Sequence, residues 1–415
     1  MPTIPGYPDD IFTDEVLLDP HGHYRALREL GSVIWLEAHQ IYAVPRYAEA
    51  RTVLSDAKTF CSGQGVGLNE VANNFGAGLT TMMSDGEKHT YLRGIMTHGF
   101  TPRALRNMRI DVEALATNRV AELVEQGSFD AVTDLARALP LAVVPELLGW
   151  PAGRRQQLLE WAAASFDFLG PPNDRATRAA AKTQVMIESA EKMIRFAEQA
   201  IADGESLPGS LGAAMHEADK RGKLGPQQVP LLVFDYIGPS LDTTISAIGS
   251  AVWLLGTHPD QWTALKADPS LIPSAFNEVV RLESPVRLLS RVASTATSVG
   301  GYDLDAGSRL IVLYASANRD DRHFERPDAF DIARRNAGEH VGFGYGIHAC
   351  AGQGLARLLS HAVLKALITQ VDTIELGGAV RGLNNLINAF ESLPVTVHAT
   401  RPPSAAVGRR RSHGE

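Results

Sequence analysis

The sequence predicts a mainly α-helical protein with small β regions, folded as one large domain. The longest apolar segment, residues 227–255, is apolar nearly all round, as expected of a helix that crosses the middle of a large domain. Helical periodicity recurs on both sides of this segment, whereas alternation of apolar and polar residues is confined to short stretches. No Pro/Gly/Ser-rich linker or charge block divides the chain of 415 residues.

The N-terminal part, residues 1–60, combines turn signals with alternating stretches such as "SVIWLEAHQIYAV", which predict a small antiparallel sheet. Helices predominate from about residue 84 to about residue 400. The segment 101–127 keeps its apolar residues on one helical face and ends at Gly127, and the alanine-rich run 174–203 ends at Gly204.

A second β region is predicted at residues 301–319, "GYDLDAGSRLIVLYASANR". We expect one domain over residues 1–403 and a disordered tail at residues 404–415. Within the long apolar helix, Gly238-Pro239-Ser240 predicts a kink or bulge, because proline lacks the amide that would bond the carbonyl of Asp235.

The composition excludes several classes of protein. With 39 basic and 47 acidic residues, the chain has no basic excess for nucleic acid or an anionic membrane. Two cysteines, Cys61 and Cys350, allow neither a disulfide framework nor a CxxC zinc site. The N-terminus lacks the pattern of a signal peptide, and no uncharged stretch is long enough for a membrane span. We therefore expect a cytoplasmic monomer.

The segment "HVGFGYGIHACAGQGLARLL", residues 340–359, places Cys350 among glycines and just before a predicted helix. Glycines let the backbone approach a flat ligand closely. The free amides and the dipole of a helix N-terminus favour an anion, and a thiolate is the obvious one. A buried structural cysteine in a turn is the alternative, and Cys61 fits that description.

The run "FGYGIHACAGQGLAR" resembles the haem-binding loop of cytochrome P450 enzymes, and nearly the whole chain shares the resemblance. It implies the P450 fold, with haem b between the long central helix and the Cys loop. It also implies that Cys350 is the iron ligand and that Phe343 lies beside it. A thiolate ligand pushes electron density onto haem iron and favours cleavage of the O–O bond.

The resemblance implies roles for further residues. Glu278 and Arg281 form the Glu-x-x-Arg pair of that family, with Arg334 as the third member, and their role is structural. His89, Arg93, Arg291 and His348 correspond to the residues that hold the haem propionates.

Asp242 and Thr243 on the long helix resemble the acid and alcohol pair of the family, which passes protons inward for oxygen activation. The alternative for Thr243 is a hydroxyl bonded back to the carbonyl four residues earlier. Ser240 stands where relatives often have glycine; it could add a second hydroxyl near the oxygen site or satisfy a freed carbonyl.

Smaller matches, "TFCSGQGVGL", "GPPN", "ESPV" and "NNLINAFESLPV", resemble the bacterial P450s that O-demethylate para-methoxybenzoate and oxidise related aromatic acids. By position, this resemblance implies an apolar substrate pocket. Its lining would be Val66, Leu68, Phe75, Phe166, Leu169, Phe234, Gly238, Val286, Leu289 and Phe390.

The chain departs from those enzymes where they hold the substrate carboxylate. Phe234, Asp235 and Gly238 stand at the long-helix positions, and the loop "NNFGAGLTT" has no arginine. An unpaired benzoate in an apolar site costs several kcal/mol. We therefore expect a neutral or phenolic methoxy- or alkyl-aromatic substrate. The alternative is a para-substituted benzoate, anchored by a residue such as Arg287 turned inward.

The resemblance implies a monooxygenase that uses O2 and NAD(P)H-derived electrons. Since the sequence shows no flavin or iron–sulfur domain, the electrons would come from a separate ferredoxin and its reductase, docking near Cys350. A hydrogen-peroxide-using peroxygenase and a non-enzymatic haem sensor remain alternatives on the same fold. The acid and alcohol pair argues against the first, and the absence of an output domain in this sequence argues against the second.

Overall fold

The structure is a computed structural model that describes residues 3–148, 157–172, 199, 214–215, 218, 221–224 and 228–400. The helices, in chain order, are α1 (Asp14–Leu18), α2 (His21–Leu30), α3 (Tyr47–Ser55), α4 (Glu70–Gly76), α5 (Gly86–Met96), α6 (Pro102–Gln126), α7 (Ala138–Leu148), α8 (Gln157–Leu169), α9 (Gln228–Thr257), α10 (Pro259–Ala267), α11 (Ile272–Glu283), α12 (Tyr314–Ala317) and α13 (Gln353–Gln370). The strands are β1 (Gly6–Tyr7), β2 (Ile34–Leu36), β3 (Ile41–Val44), β4 (Phe60–Cys61), β5 (Ser128–Asp130), β6 (Leu288–Ala293), β7 (Thr297–Val299), β8 (Tyr302–Leu304), β9 (Arg309–Leu313), β10 (Val371–Leu376), β11 (Val380–Arg381), β12 (Phe390–Ser392) and β13 (Pro394–Ala399).

The long apolar segment forms the central helix α9, which packs against α7, α8, α11 and α13. The main hydrophobic core surrounds it, as its all-round apolarity predicts. The helix continues through Pro239, so the predicted bulge is absent. Two hydroxyls next to the proline each bond the carbonyl four residues earlier, Ser240 to Tyr236 at 2.6 Å and Thr243 to Pro239 at 2.6 Å.

The N-terminal strands belong to a mixed six-stranded sheet with the order β1-β2-β3-β9-β6-β4. The predicted antiparallel pair is present as β2 and β3, but β3 then pairs in parallel with β9, far along the chain. The description of residues 1–60 as β-rich is wrong in part, since α1, α2 and α3 lie there as well. The strands of this N-terminal part, β1 to β4, nevertheless all belong to the one six-stranded sheet.

The C-terminal part of the predicted helical region is also wrong in part, because β10 to β13 lie within it. The alternation in "VDTIEL" and "PVTVHA" is typical of half-exposed strands, and these two segments pair as β10 and β13. The β region predicted at 301–319 contains β8 and β9, but helix α12 lies within it as well. Helix α6 ends at Gly127, whose φ of 76° is the left-handed conformation that glycine adopts without strain.

Two predicted segments, the helix at 174–203 apart from Gln199 and the tail at 404–415, lie outside the described residues. None of the helices in the described part of the chain combines the length and the apolarity that a membrane span requires.

A buried charge cluster joins α11 to the segment before the Cys loop. Arg281 donates to both carboxylate oxygens of Glu278 at 2.7 and 2.8 Å, and Arg334 donates to the same carboxylate at 2.9 Å. Both arginines also bond backbone carbonyls within residues 318–329. The predicted three-residue contact is therefore present, and it fixes the long segment that leads to Cys350.

Candidate active site

The loop that carries Cys350 runs from Gly342 into the N-terminus of α13, as the glycine pattern predicts. The amide of Cys350 donates to the carbonyl of Phe343 at 2.7 Å and closes the loop. Gly346 has a φ of 72°, and a Cβ at this position would come within 2.5 Å of the carbonyl oxygen of Leu54. Only glycine allows the loop to pack this closely against α3.

The thiol of Cys350 is half-buried and faces backbone amides and guanidinium groups. Burial raises its pKa, whereas the amides of Gly352 and Gln353 and the guanidinium groups of Arg93 and Arg357 oppose that rise. These amides belong to the start of α13, where the helix dipole also favours an anion. The loop can therefore stabilise a thiolate once a metal cation offsets the cost of burial.

Cys350 lies at one side of a cavity that contains about 1370 Å³ of empty space, part of it open to solvent. Its lining is mainly apolar with a few polar side chains, which is typical of sites that bind small molecules. Its lining residues come from the Cys loop and the start of α13, from α9, from β6 and from the segment before α5. The predicted residues among its lining are Val66, Arg93, Phe166, Thr243, Val286, Leu289, Arg291, Phe343, His348 and Cys350.

Positive and imidazole side chains gather on the side of the cavity near Cys350. Arg93 donates to the carbonyl of Ala349, and Arg291 donates to the carbonyl of Ser290 at 2.7 Å. His348 lies 3.4 Å from the carboxylate of Asp85, and its ring centroid is 4.2 Å from that of His89. Burial lowers the pKa of His348, and it lowers that of His89 to about 4, so both imidazoles are neutral at neutral pH.

This arrangement fits a haem. His89 is buried behind the cavity lining, and its Nε2 has no hydrogen-bond partner, as expected of a group that awaits an external carboxylate. No group of three or more metal-ligating side chains exists among the described residues. A single thiolate therefore suits a metal whose other ligands come from a macrocycle. Cys350, Arg93, Arg291, His348 and His89 could hold such a group.

The acid and alcohol pair occupies two different environments. Thr243 lines the cavity, but its hydroxyl donates to the carbonyl of Pro239, which is the alternative arrangement that the sequence allowed. Asp242 is absent from the described lining, and burial raises the pKa of its carboxyl to about 7. Ser240 lines the cavity and bonds Tyr236, so it does not satisfy the carbonyl of Asp235 that Pro239 leaves free.

The other residues predicted to line the pocket lie in different places. Phe75 and Leu169 line a smaller adjoining pocket, whereas Leu68 and Gly238 line neither among the described residues. The prediction for Phe390 is wrong, because this residue is absent from the described lining of both spaces. Its ring packs against Trp253 of α9 and against Arg381, whose guanidinium carbon lies 3.8 Å from the ring centroid. The side chain of Phe234 lies outside the described part of the chain.

Sequence reasoning missed several lining residues, among them Thr81, Met82, Met96, Phe100 and Tyr314. Only the apolarity of their segments could have indicated them. Arg287, which the sequence left open as a carboxylate anchor, is buried and directed elsewhere. Its guanidinium donates to the carbonyls of Asn384 and Ile387, each at 2.7 Å, and of Leu17 at 2.8 Å.

Comparison with known proteins agrees with this geometry. The family model described as "Cytochrome P450" matches residues 268–373. "Cytochrome p450 CYP199A2" of Rhodopseudomonas palustris (strain ATCC BAA-98 / CGA009) is 36% identical over 390 residues, which cover 93% of this chain and 93% of that protein. The structure of Mycobacterium marinum cytochrome P450 CYP268A2 in complex with pseudoionone superposes with a TM-score of 0.84 and 27% identity, covering 94% of this chain and 99% of that one. Cytochrome P450 CREJ in complex with (4-ethylphenyl) dihydrogen phosphate gives a TM-score of 0.82 at 26% identity, covering 92% and 98%.

Proposed function

Because the chain belongs to the cytochrome P450 family of monooxygenases, we propose that it inserts one oxygen atom from O2 into a small neutral or phenolic aromatic compound. The reaction would be O-demethylation of a methoxy group or hydroxylation of an alkyl group. The observation that carries the proposal is the cavity itself, whose described lining is mainly apolar and includes Cys350.

In this proposal the prosthetic group is haem b, with Cys350 as the iron ligand. When bound, the haem supplies oxygen activation, and its thiolate ligand favours O–O cleavage. Arg93, Arg291 and His348 line the cavity and would hold the haem carboxylates, with His89 behind them. Cys350 would stay ionised through the amides of Gly352 and Gln353, and the surrounding apolar residues would exclude water.

The charges of the cavity support an uncharged substrate. The cationic side chains of its described lining are Arg93 and Arg291, and both would bind the haem carboxylates in this proposal. Val66, Phe166 and Leu289 of the lining offer a carboxylate no hydrogen bond, and Asp235 would repel it. A benzoate there would lose its hydration without a compensating partner.

We predict that a methyl ester binds more tightly than its acid. In a titration followed by the spin-state shift of the haem, methyl para-methoxybenzoate should bind about tenfold or more tightly than para-methoxybenzoate at neutral pH, because a charge-assisted contact worth about 1.5–3 kcal/mol is missing. Tighter binding of the anion would favour the alternative of a benzoate monooxygenase.

We predict that Thr243→Ala separates substrate binding from product formation. Thr243 on α9 lines the cavity, and rotation about χ1 would redirect its hydroxyl from the carbonyl of Pro239 into the cavity. The variant should bind substrate nearly as well as the parent. Its product per NAD(P)H should fall by about tenfold, with hydrogen peroxide released instead, since one donor to a charged group is lost.

A parallel Ser240→Ala variant is the control, because Ser240 also lines the cavity and bonds back to its own helix. It should keep the coupling of the parent. If Thr243→Ala kept full coupling while Ser240→Ala lost it, the proton-donating hydroxyl would be Ser240.

The electrons would come from NAD(P)H through a ferredoxin and its reductase, with the ferredoxin docking beside the Cys loop. This surface exposes Tyr345 and Ile347, and Arg51 lies over the ring of Tyr345 at 3.6 Å. A mixed aromatic and cationic surface suits an acidic electron donor. The whole of residues 1–403 would act as one domain.

A further inference from the structure

Asp235 lies where the main cavity meets the smaller adjoining pocket. Both spaces are lined by Met82, Phe166, Asp235 and Pro239, so they share a wall at this point. Asp235 is the only acidic side chain in the described lining of either space. Since α9 is otherwise apolar here, the carboxylate requires an explanation.

The carboxylate of Asp235 is only partly satisfied by the protein. It accepts a hydrogen bond from the amide of Thr81 at 2.8 Å, and the hydroxyl of Thr81 and the amide of Met82 also interact with it. Burial raises its pKa to about 6, and the hydroxyl and amide of Thr81, the amide of Met82 and Arg93 oppose this rise, so the group is mostly ionised at pH 7–8. A carboxylate can accept about four hydrogen bonds, so these three donors leave acceptor capacity for a ligand in the cavity.

Resting on the proposed function, we propose that Asp235 determines specificity by accepting a hydrogen bond from the phenolic hydroxyl of the substrate. A phenol has a pKa of about 10, so its proton stays on the ligand and the contact is a charge-assisted hydrogen bond. A substrate without a donor would leave the buried carboxylate without this partner, and an anionic substrate would be repelled. The site therefore selects phenols over their ethers.

The position of Asp235 also orients the rest of the substrate. A group para to the phenolic hydroxyl points away from Asp235, so it extends into the main cavity, whose apolar lining includes Met96 and Phe100. An alkyl chain would gain about 0.8 kcal/mol for each methylene buried there. The substrate class is therefore an alkylphenol, such as a 4-alkylguaiacol, with its hydroxyl at Asp235 and its chain in the main cavity.

The test compares 4-propylguaiacol with 4-propylveratrole, in which the hydroxyl is methylated. Dissociation constants are measured on the haem-loaded protein by spin-state titration and by calorimetry. The phenol should bind the parent about tenfold to a hundredfold more tightly, the usual effect of a hydrogen bond to a charged group. In Asp235→Asn, which keeps an oxygen for the Thr81 amide, the two ligands should differ by no more than about threefold.

Leu231→Ala is the matched control, because it alters the adjoining pocket without touching the carboxylate. It should leave the affinity ratio of the two ligands at the value of the parent. If Asp235→Asn did not fold, Asp235→Ser would replace it. Equal affinity of the pair in the parent, or an unchanged ratio in the Asp235 variants, would overturn this inference alone. Binding of neither aromatic compound would overturn the proposed function and the inference together.

Discussion

Cys350→His is expected to abolish the long-wavelength Soret band that the reduced parent protein shows under carbon monoxide. The band requires a thiolate ligand, and Cys350 is the thiol that lines the cavity, near the amides of Gly352 and Gln353. An imidazole could still hold the iron, but it donates less electron density. The loss should be complete, and the haem content of the variant, measured after extraction, shows whether the site is still loaded.

The second cysteine provides the matched control. Cys61 is buried in β4, where its sulfur accepts a hydrogen bond from Gln64 at 3.6 Å, and burial raises its pKa. Cys61→Ser should leave the band unchanged. A Cys350→His protein that kept the long-wavelength band would contradict the assignment of Cys350 as the ligand.

The sequence predicted local features well because their causes are local. The end of α6 at Gly127 follows from a residue that adopts positive φ without strain, and the central position of α9 follows from its apolar surface. The Glu278 cluster was predictable in a different way, since only a resemblance to known proteins connects Arg334 with the pair on α11.

Long-range pairing was not predictable from periodicity. The parallel pairing of β3 with β9 depends on how the whole chain is folded, and nothing in either strand specifies its partner. The direction of a side chain is equally dependent on its surroundings. Phe390 and Arg287 occupy plausible positions in the sequence, yet one packs against Arg381 and the other bonds backbone carbonyls outside the cavity.

The candidate site shows the same division. The motif identified Cys350 and its neighbours, because the glycines and the helix start are consecutive in the chain. The sequence raised Asp235 only as a possible repulsive charge. Its position between two cavities depends on α9, α8 and the segment before α5 together. Substrate specificity is therefore the part of the function that needed the structure.

Glu278→Gln is expected to lower the free energy of unfolding by about 3–5 kcal/mol, because it removes one partner of a buried charge cluster and leaves two arginines without their carboxylate. The side chains of Glu278 and Arg281 are fully buried, and that of Arg334 is 5% exposed. Urea unfolding followed by circular dichroism gives the change. Arg334→Lys should cost less, since it keeps a charge but loses the bonds of the guanidinium to the carbonyls of Glu325 and Arg326.

Glu113→Gln is the control near the surface, where Glu113, 34% exposed, pairs with the exposed side chains of Lys365 at 2.8 Å and Arg109 at 3.4 Å. Solvent screens these pairs, so their loss should change the free energy of unfolding by less than about 1 kcal/mol. The contrast between the two glutamates isolates the effect of burial. Equal stability losses in Glu278→Gln and Glu113→Gln would show that the buried cluster does not hold the segment before the Cys loop. Because Glu278 lies outside the cavity lining, the folded fraction of its variant should keep the long-wavelength band of the parent.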